Sequence, residues 1–185
     1  SGHVREVGVE LYQEMLRQAV DDAKSGGEDD TSNDALPAWT PQISLGLDIR
    51  LPESYVPDLT VRLSLYRRIA NLVDRQATDV LVAELIDRFG PLPDPARNLL
   101  MVIELKKLCR LVNVEKIDAG PKGLSLSFRN HEFLRPEQLI SWIADQAGRV
   151  QLRADHRLIF VMSLSTPEMQ AEACNSALKE LLKLI

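Results

Sequence analysis

Glu84-Leu85-Ile86-Asp87-Arg88-Phe89-Gly90-Pro91-Leu92-Pro93 ends one helix, turns the chain and launches another. Val82, Leu85, Ile86 and Phe89 recur at helical spacing and are expected to face a core. Gly90 suits the left-handed backbone that closes a helix, and Pro91 cannot continue one because it lacks the N–H. Asp94 then reads as an N-cap, with Pro95 at the first helical position. Glu84, Asp87 and Arg88 remain on the outer face at i, i+3 and i+4, either as a solvated surface or as a docking face.

On the N-terminal side, Asp58 is an expected N-cap for a helix over 58–74. Leu59, Leu63, Tyr66, Ala70 and Val73 form its apolar stripe, with Arg62, Arg67, Arg68 and Arg75 mainly outside it. Thr78 is expected to cap the helix that reaches Phe89. Ile43, Leu45, Leu47, Ile49 and Leu51 alternate with Ser44, Gly46, Asp48 and Arg50, which predicts a strand over 43–51. Residues 7–24 carry Leu11, Met15, Leu16 and Val20 at the helical period. Residues 25–42 are rich in Gly, Asp, Ser and Pro without periodicity, the pattern of a flexible linker, with Trp39 as its one adhesive side chain.

On the C-terminal side, a helix over 95–112 is apolar on most sides and is expected to be central. The pattern then changes. Strands are predicted over 116–119 and 124–128, separated by Gly120-Pro121-Lys122-Gly123, with a helix from Pro136 to 147. Val150, Leu152 and Ala154 alternate in a further strand. Asp155-His156 turns into another over 157–162, and Thr166-Pro167-Glu168 opens a last helix. The fold class is therefore α+β: a helical N-terminal half, then two hairpin-helix units forming a small antiparallel sheet with helices packed on it.

The chain has 185 residues, 45% hydrophobic, with net charge −5. That is ample for a core, and the acidic balance argues against a dedicated nucleic-acid module. No apolar run approaches the roughly 18–20 residues of a membrane span, and no secretory signal is expected at the start. Cys109 and Cys174 lie in helical patterns and read as buried, reduced thiols. His3, His131 and His156 lack metal-ligand spacing and read as surface or turn residues. Phosphate-loop, dinucleotide-binding and nucleophile-elbow motifs are absent from these residues, so no cofactor site, metal site or catalytic residue is expected.

Tyr55-Val56-Pro57-Asp58, Arg62-Leu63-Ser64-Leu65-Tyr66-Arg67-Arg68-Ile69-Ala70, the stretch 84–93 and Asn98-Leu99-Leu100 follow one another in order and spacing. Together they closely resemble the C-terminal domain of bacterial transcription-repair coupling factors, the Mfd or TRCF family. Ser1-Gly2-His3-Val4-Arg5-Glu6-Val7-Gly8-Val9-Glu10-Leu11-Tyr12 looks like the end of that family's translocase module, so Ser1-Gly2-His3 is expected to be native sequence. The resemblance covers nearly the whole chain and is most specific over 55–100. It implies three segments: 1–24 as the last helix of the translocase module, 25–42 as a flexible linker and 43–185 as a C-terminal regulatory domain.

The resemblance also implies a parent protein that is an ATP-driven DNA translocase of the bacterial cytoplasm. That parent binds RNA polymerase, double-stranded DNA and the excision-repair subunit UvrA. Its ATPase motifs lie upstream, so this stretch is expected to bind no ATP and catalyse nothing. The C-terminal domain of the family docks on a UvrB-like N-terminal module, masks the UvrA-binding surface and restrains the motor until polymerase is engaged. By the same resemblance, Glu84 and Asp87 match acidic positions that meet arginines of that module, with Arg88 as a possible support. The bare residues allow a plainer role for Glu84, pairing with Arg88 at i+4. An alternative function is a DNA-binding accessory module using the arginine-bearing helix over Arg62 to Arg75.

Overall fold

The computed structural model describes residues 39–185; the helix expected over 7–24 and most of the linker expected over 25–42 lie outside them. The elements in chain order are β1 (Gln42–Ser44), α1 (Leu59–Ala70), α2 (Arg75–Phe89), α3 (Asp94–Leu111), β2 (Val114–Gly120), β3 (Gly123–Phe128), α4 (Pro136–Asp145), β4 (Val150–Leu152), β5 (Arg157–Val161) and α5 (Pro167–Leu182). The class is α+β. The described chain forms two compact units, one over 48–103 and one made of 39–47 with 104–185.

The first unit is helical. The Asp58 carboxylate accepts from the Val61 N–H at 2.9 Å and starts α1, as expected. The cap of α2 is Asp74, whose carboxylate accepts from the Ala77 N–H at 2.8 Å. Thr78, expected to fill that role, instead donates its hydroxyl to the Asp74 carbonyl from inside the first turn. The buried row of α1 is Leu65, Tyr66 and Ile69, whereas Leu59 and Val73 are exposed. The helix expected to reach 74 ends at Ala70 with Asn71 as its C-cap, so Val73 lies in the link to α2 and not on the stripe, and Leu59 stands on the solvent side of the first turn. On α2 the buried residues are Leu81 and Leu85; Ile86 is exposed and Phe89 half-buried.

The strand expected over 43–51 is a correction of substance. Only Gln42–Ser44 pairs, in parallel, with Lys116 to Asp118. Further on, the backbone finds partners outside any sheet. The Arg50 N–H donates to the Pro95 carbonyl at 3.3 Å, and the buried Leu51 N–H donates to the Tyr66 hydroxyl at 2.7 Å. Ile49 and Leu51 are buried, so the alternation reported burial while the hydrogen bonds went to a loop.

The second unit holds a five-stranded sheet in the order β1-β2-β3-β5-β4. Both expected hairpins form and are antiparallel, but β1 lies parallel to β2, so the sheet is mixed and not purely antiparallel. Leu126 stands opposite Ile117 on one side and Leu158 on the other, all fully buried. Each such aliphatic side chain contributes about 1.5–3 kcal/mol relative to exposure. The helix α5 lies against β2 and β3 and presents Ala171, Cys174, Leu178 and Leu181 inward, while α4 lies against β4. The Trp142 ring of α4 sits 6.0 Å from that of Phe160. Gly123 has φ +138°, and a Cβ there would fall 1.8 Å from the Phe160 carbonyl oxygen, so no larger residue fits where β3 leaves the turn.

Candidate functional site

The triplet singled out by the sequence lies on the last two turns of α2. That end of the helix is fixed from several directions. Gly90 terminates it with φ +87° and ψ −169°, a region open to glycine alone; the positive φ was expected, but its ψ is extended and not left-handed helical. The Tyr55 hydroxyl proton lies between two carbonyls, Leu85 at 3.1 Å and Gly90 at 2.8 Å. The Tyr55 and Phe89 rings meet at 5.7 Å, and the Arg88 guanidinium rests 4.9 Å above the Phe89 ring.

Glu84 is engaged inside the domain. Arg68 of α1 donates Nη1–H to Oε1 at 2.7 Å and Nη2–H to Oε2 at 2.6 Å, a two-pronged charge-assisted pair. Arg88 donates Nη1–H to Oε1 at 3.1 Å, so the expected i,i+4 pair is present as well. The carboxyl is drawn down to about 2, mainly by the Arg68 hydrogen bonds; desolvation opposes this, and the Arg88 bond adds to the lowering. Asp87 is exposed and makes no hydrogen bond or ion pair among the described residues. The structure thus brings Glu84 and Arg88 together and leaves Asp87 pointing to solvent on the same helix end.

Arg68 is the residue that sequence reasoning placed on a generic basic face. Nothing at helical spacing links positions 16 apart, and only the packing of two helices brings them together. The other arginines of α1 are less alike than the sequence suggested. Arg62 turns inward and donates to the Val56 carbonyl at 2.8 Å, while Arg67 is exposed beside Arg68. Between α1 and α2 lies an open cavity of about 680 Å³, lined by Arg67, Arg68, Asn71, Asp74 and Val80 among others and by no cysteine or histidine.

In the second unit, His131 at the end of a short 3-10 helix and His156 in a turn are both exposed with positive φ, and their rings meet at 4.8 Å with a tilt of 33°. Their separation in sequence hid that meeting. Among the described residues no group of three or more metal-capable side chains converges. Cys109 and Cys174 are free and buried, and burial pushes each thiol up to about 12, so neither is a nucleophile. Among the described helices none is long and apolar enough to cross a membrane.

A family model described as the TRCF domain matches residues 45–139. The chain is 35% identical over 177 residues to the transcription-repair-coupling factor of Rickettsia bellii, covering 94% of this chain and 15% of that protein. It is 33% identical over 181 residues to the transcription-repair-coupling factor of Escherichia coli K12, covering 98% of this chain and 16% of that protein. The chain therefore spans about 15% of the length of these relatives. Its fold is similar to the crystal structure of a C-terminal domain of transcription-repair coupling factor, with TM-score 0.57 and 19% identity over 78% of this chain and 95% of that one.

Proposed function

Since the chain belongs to the TRCF domain family, we propose that it is a regulatory, non-catalytic domain of a transcription-repair coupling factor that docks on a UvrB-like module. Docking through Glu84 and Asp87 masks the surface for UvrA and restrains the DNA translocase until RNA polymerase is engaged. Parent protein and site alike belong to the bacterial cytoplasm in this reading; ATP and DNA are handled by modules outside this domain.

The observation that carries the reading is the exposed carboxylate of Asp87, unpartnered among the described residues, one helical turn from Glu84 on a helix end fixed by Tyr55 and Gly90. Two acids at i and i+3 on a rigid surface match arginines of a partner with charge-assisted hydrogen bonds. A contact of this polar kind is reversible, as a regulatory dock must be. The internal bonds of Arg62 and Arg68 give the DNA-binding alternative less basic surface than the sequence promised.

Titration of the 185-residue chain with the separately produced UvrB-like module tests the function. Docking requires direct binding that weakens as salt rises. Salt-independent binding, or none, removes the proposal.

A further inference from the structure

Building on the docking function above, we propose that Arg68 competes internally for the Glu84 carboxylate, so that this domain holds half of its own docking face closed until a partner guanidinium displaces Arg68.

The geometry makes Arg68 a competitor and not merely a neighbour. A carboxylate offers about four lone-pair positions. Arg68 occupies one on each oxygen in the end-on fork that an incoming arginine would use, and Arg88 takes another on Oε1. What remains on Oε2 admits a single bond and no fork. Charge acts in the same direction. Arg68 and Arg88 offset Glu84 and Asp87, leaving the cluster neutral, whereas without Arg68 it carries one net negative charge. A cationic surface is therefore drawn first to Asp87, and Glu84 joins by exchange.

The exchange is open physically. The Arg68 side chain is 45% exposed and lies on the rim of the open cavity between α1 and α2. A displaced guanidinium swings into water and leaves no buried, unpaired charge behind, which keeps the cost of release small. The Arg68 bonds to Glu84 are made by side-chain atoms alone, so release needs rotation of one partly exposed side chain.

The test measures binding of the UvrB-like module by the 185-residue chain at low salt, in wild type, Arg68→Ala, Glu84→Ala and the double variant. Arg68→Ala is expected to tighten binding roughly two- to fivefold, the worth of one exposed ion pair, and the gain should be clearly smaller when Glu84 is already alanine, where only the change in charge beside Asp87 remains. Arg68→Gln should tighten binding likewise and guards against an effect of side-chain size. Unchanged or weaker binding, in a series where Glu84→Ala does weaken it, overturns the competition while leaving docking intact. An equal gain in both backgrounds also overturns it, since Arg68 would then act by charge alone. Absence of binding by the wild type removes docking and the competition together. Independently, carboxyl NMR of the free chain should show Glu84 titrating higher in Arg68→Ala than in wild type; an unmoved titration overturns the clamp itself.

Discussion

Arg68 and Glu84, sixteen residues apart and on different helices, share two hydrogen bonds of 2.7 and 2.6 Å. The pair ties α1 to α2 beside the proposed dock. Its pH dependence has a definite sign. The Glu84 carboxyl lies at about 2 in the fold against an ordinary 4.5, so the stability it confers is complete above 4.5 and is lost as pH falls through about 2. The difference in urea midpoint between wild type and Arg68→Ala should be constant above 4.5 and shrink below it. A difference that grows on acidification contradicts the assignment.

Tyr55 secures the same helix end by a neutral contact. Tyr55→Phe leaves the ring on Phe89 and removes the hydroxyl bonds to the Leu85 and Gly90 carbonyls. The expected loss is about 1 kcal/mol in chemical denaturation. The Glu84 titration should stay where it was, because neither arginine is touched.

Tyr66→Phe is expected to cost more. Its hydroxyl accepts the buried Leu51 N–H at 2.7 Å, and phenylalanine leaves that donor without this partner. Loss of such a bond costs about 1–3 kcal/mol, measured as a shift in denaturation midpoint with unchanged slope.

Two glycines separate strain from space. Gly90→Ala meets nothing within 4 Å but must adopt a conformation reserved for glycine, at a cost of about 1–3 kcal/mol. Gly123→Ala meets the Phe160 carbonyl oxygen as well and should cost more than about 3 kcal/mol, the upper end for overpacking. Thermal melts of the two variants in parallel check the order; equal losses contradict it.

Much of this was legible in the sequence, and the exceptions share a cause. Asp58, Gly90 and Thr166 announce helix ends because capping is local chemistry, and the hairpins over 114–128 and 150–161 follow from period-two alternation and their turns. Local pattern does not say which partner a backbone takes. The alternation over 43–51 therefore read as one strand, although Leu51 bonds to a tyrosine hydroxyl and β1 is short and parallel. The same limit applies at the site. Glu84 and Asp87 were visible as a pair on one face, and the Arg88 bond followed from i+4 spacing. Arg68 was not visible, because its contact depends on how two helices pack, and neither was the meeting of His131 with His156.

Binding of the UvrB-like module by wild type and by Glu84→Ala with Asp87→Ala, at matched low salt, addresses docking most directly. Asp87 is exposed, and Glu84 gives up only the partly exposed Arg68 and Arg88 pairs, so the double variant should stay folded with a modestly lower melting point, as Arg68→Ala does. The expected result is a folded double variant whose affinity falls at least about tenfold, as loss of charge-assisted contacts to two carboxylates requires. Equal affinity of wild type and the folded double variant would contradict docking through this face.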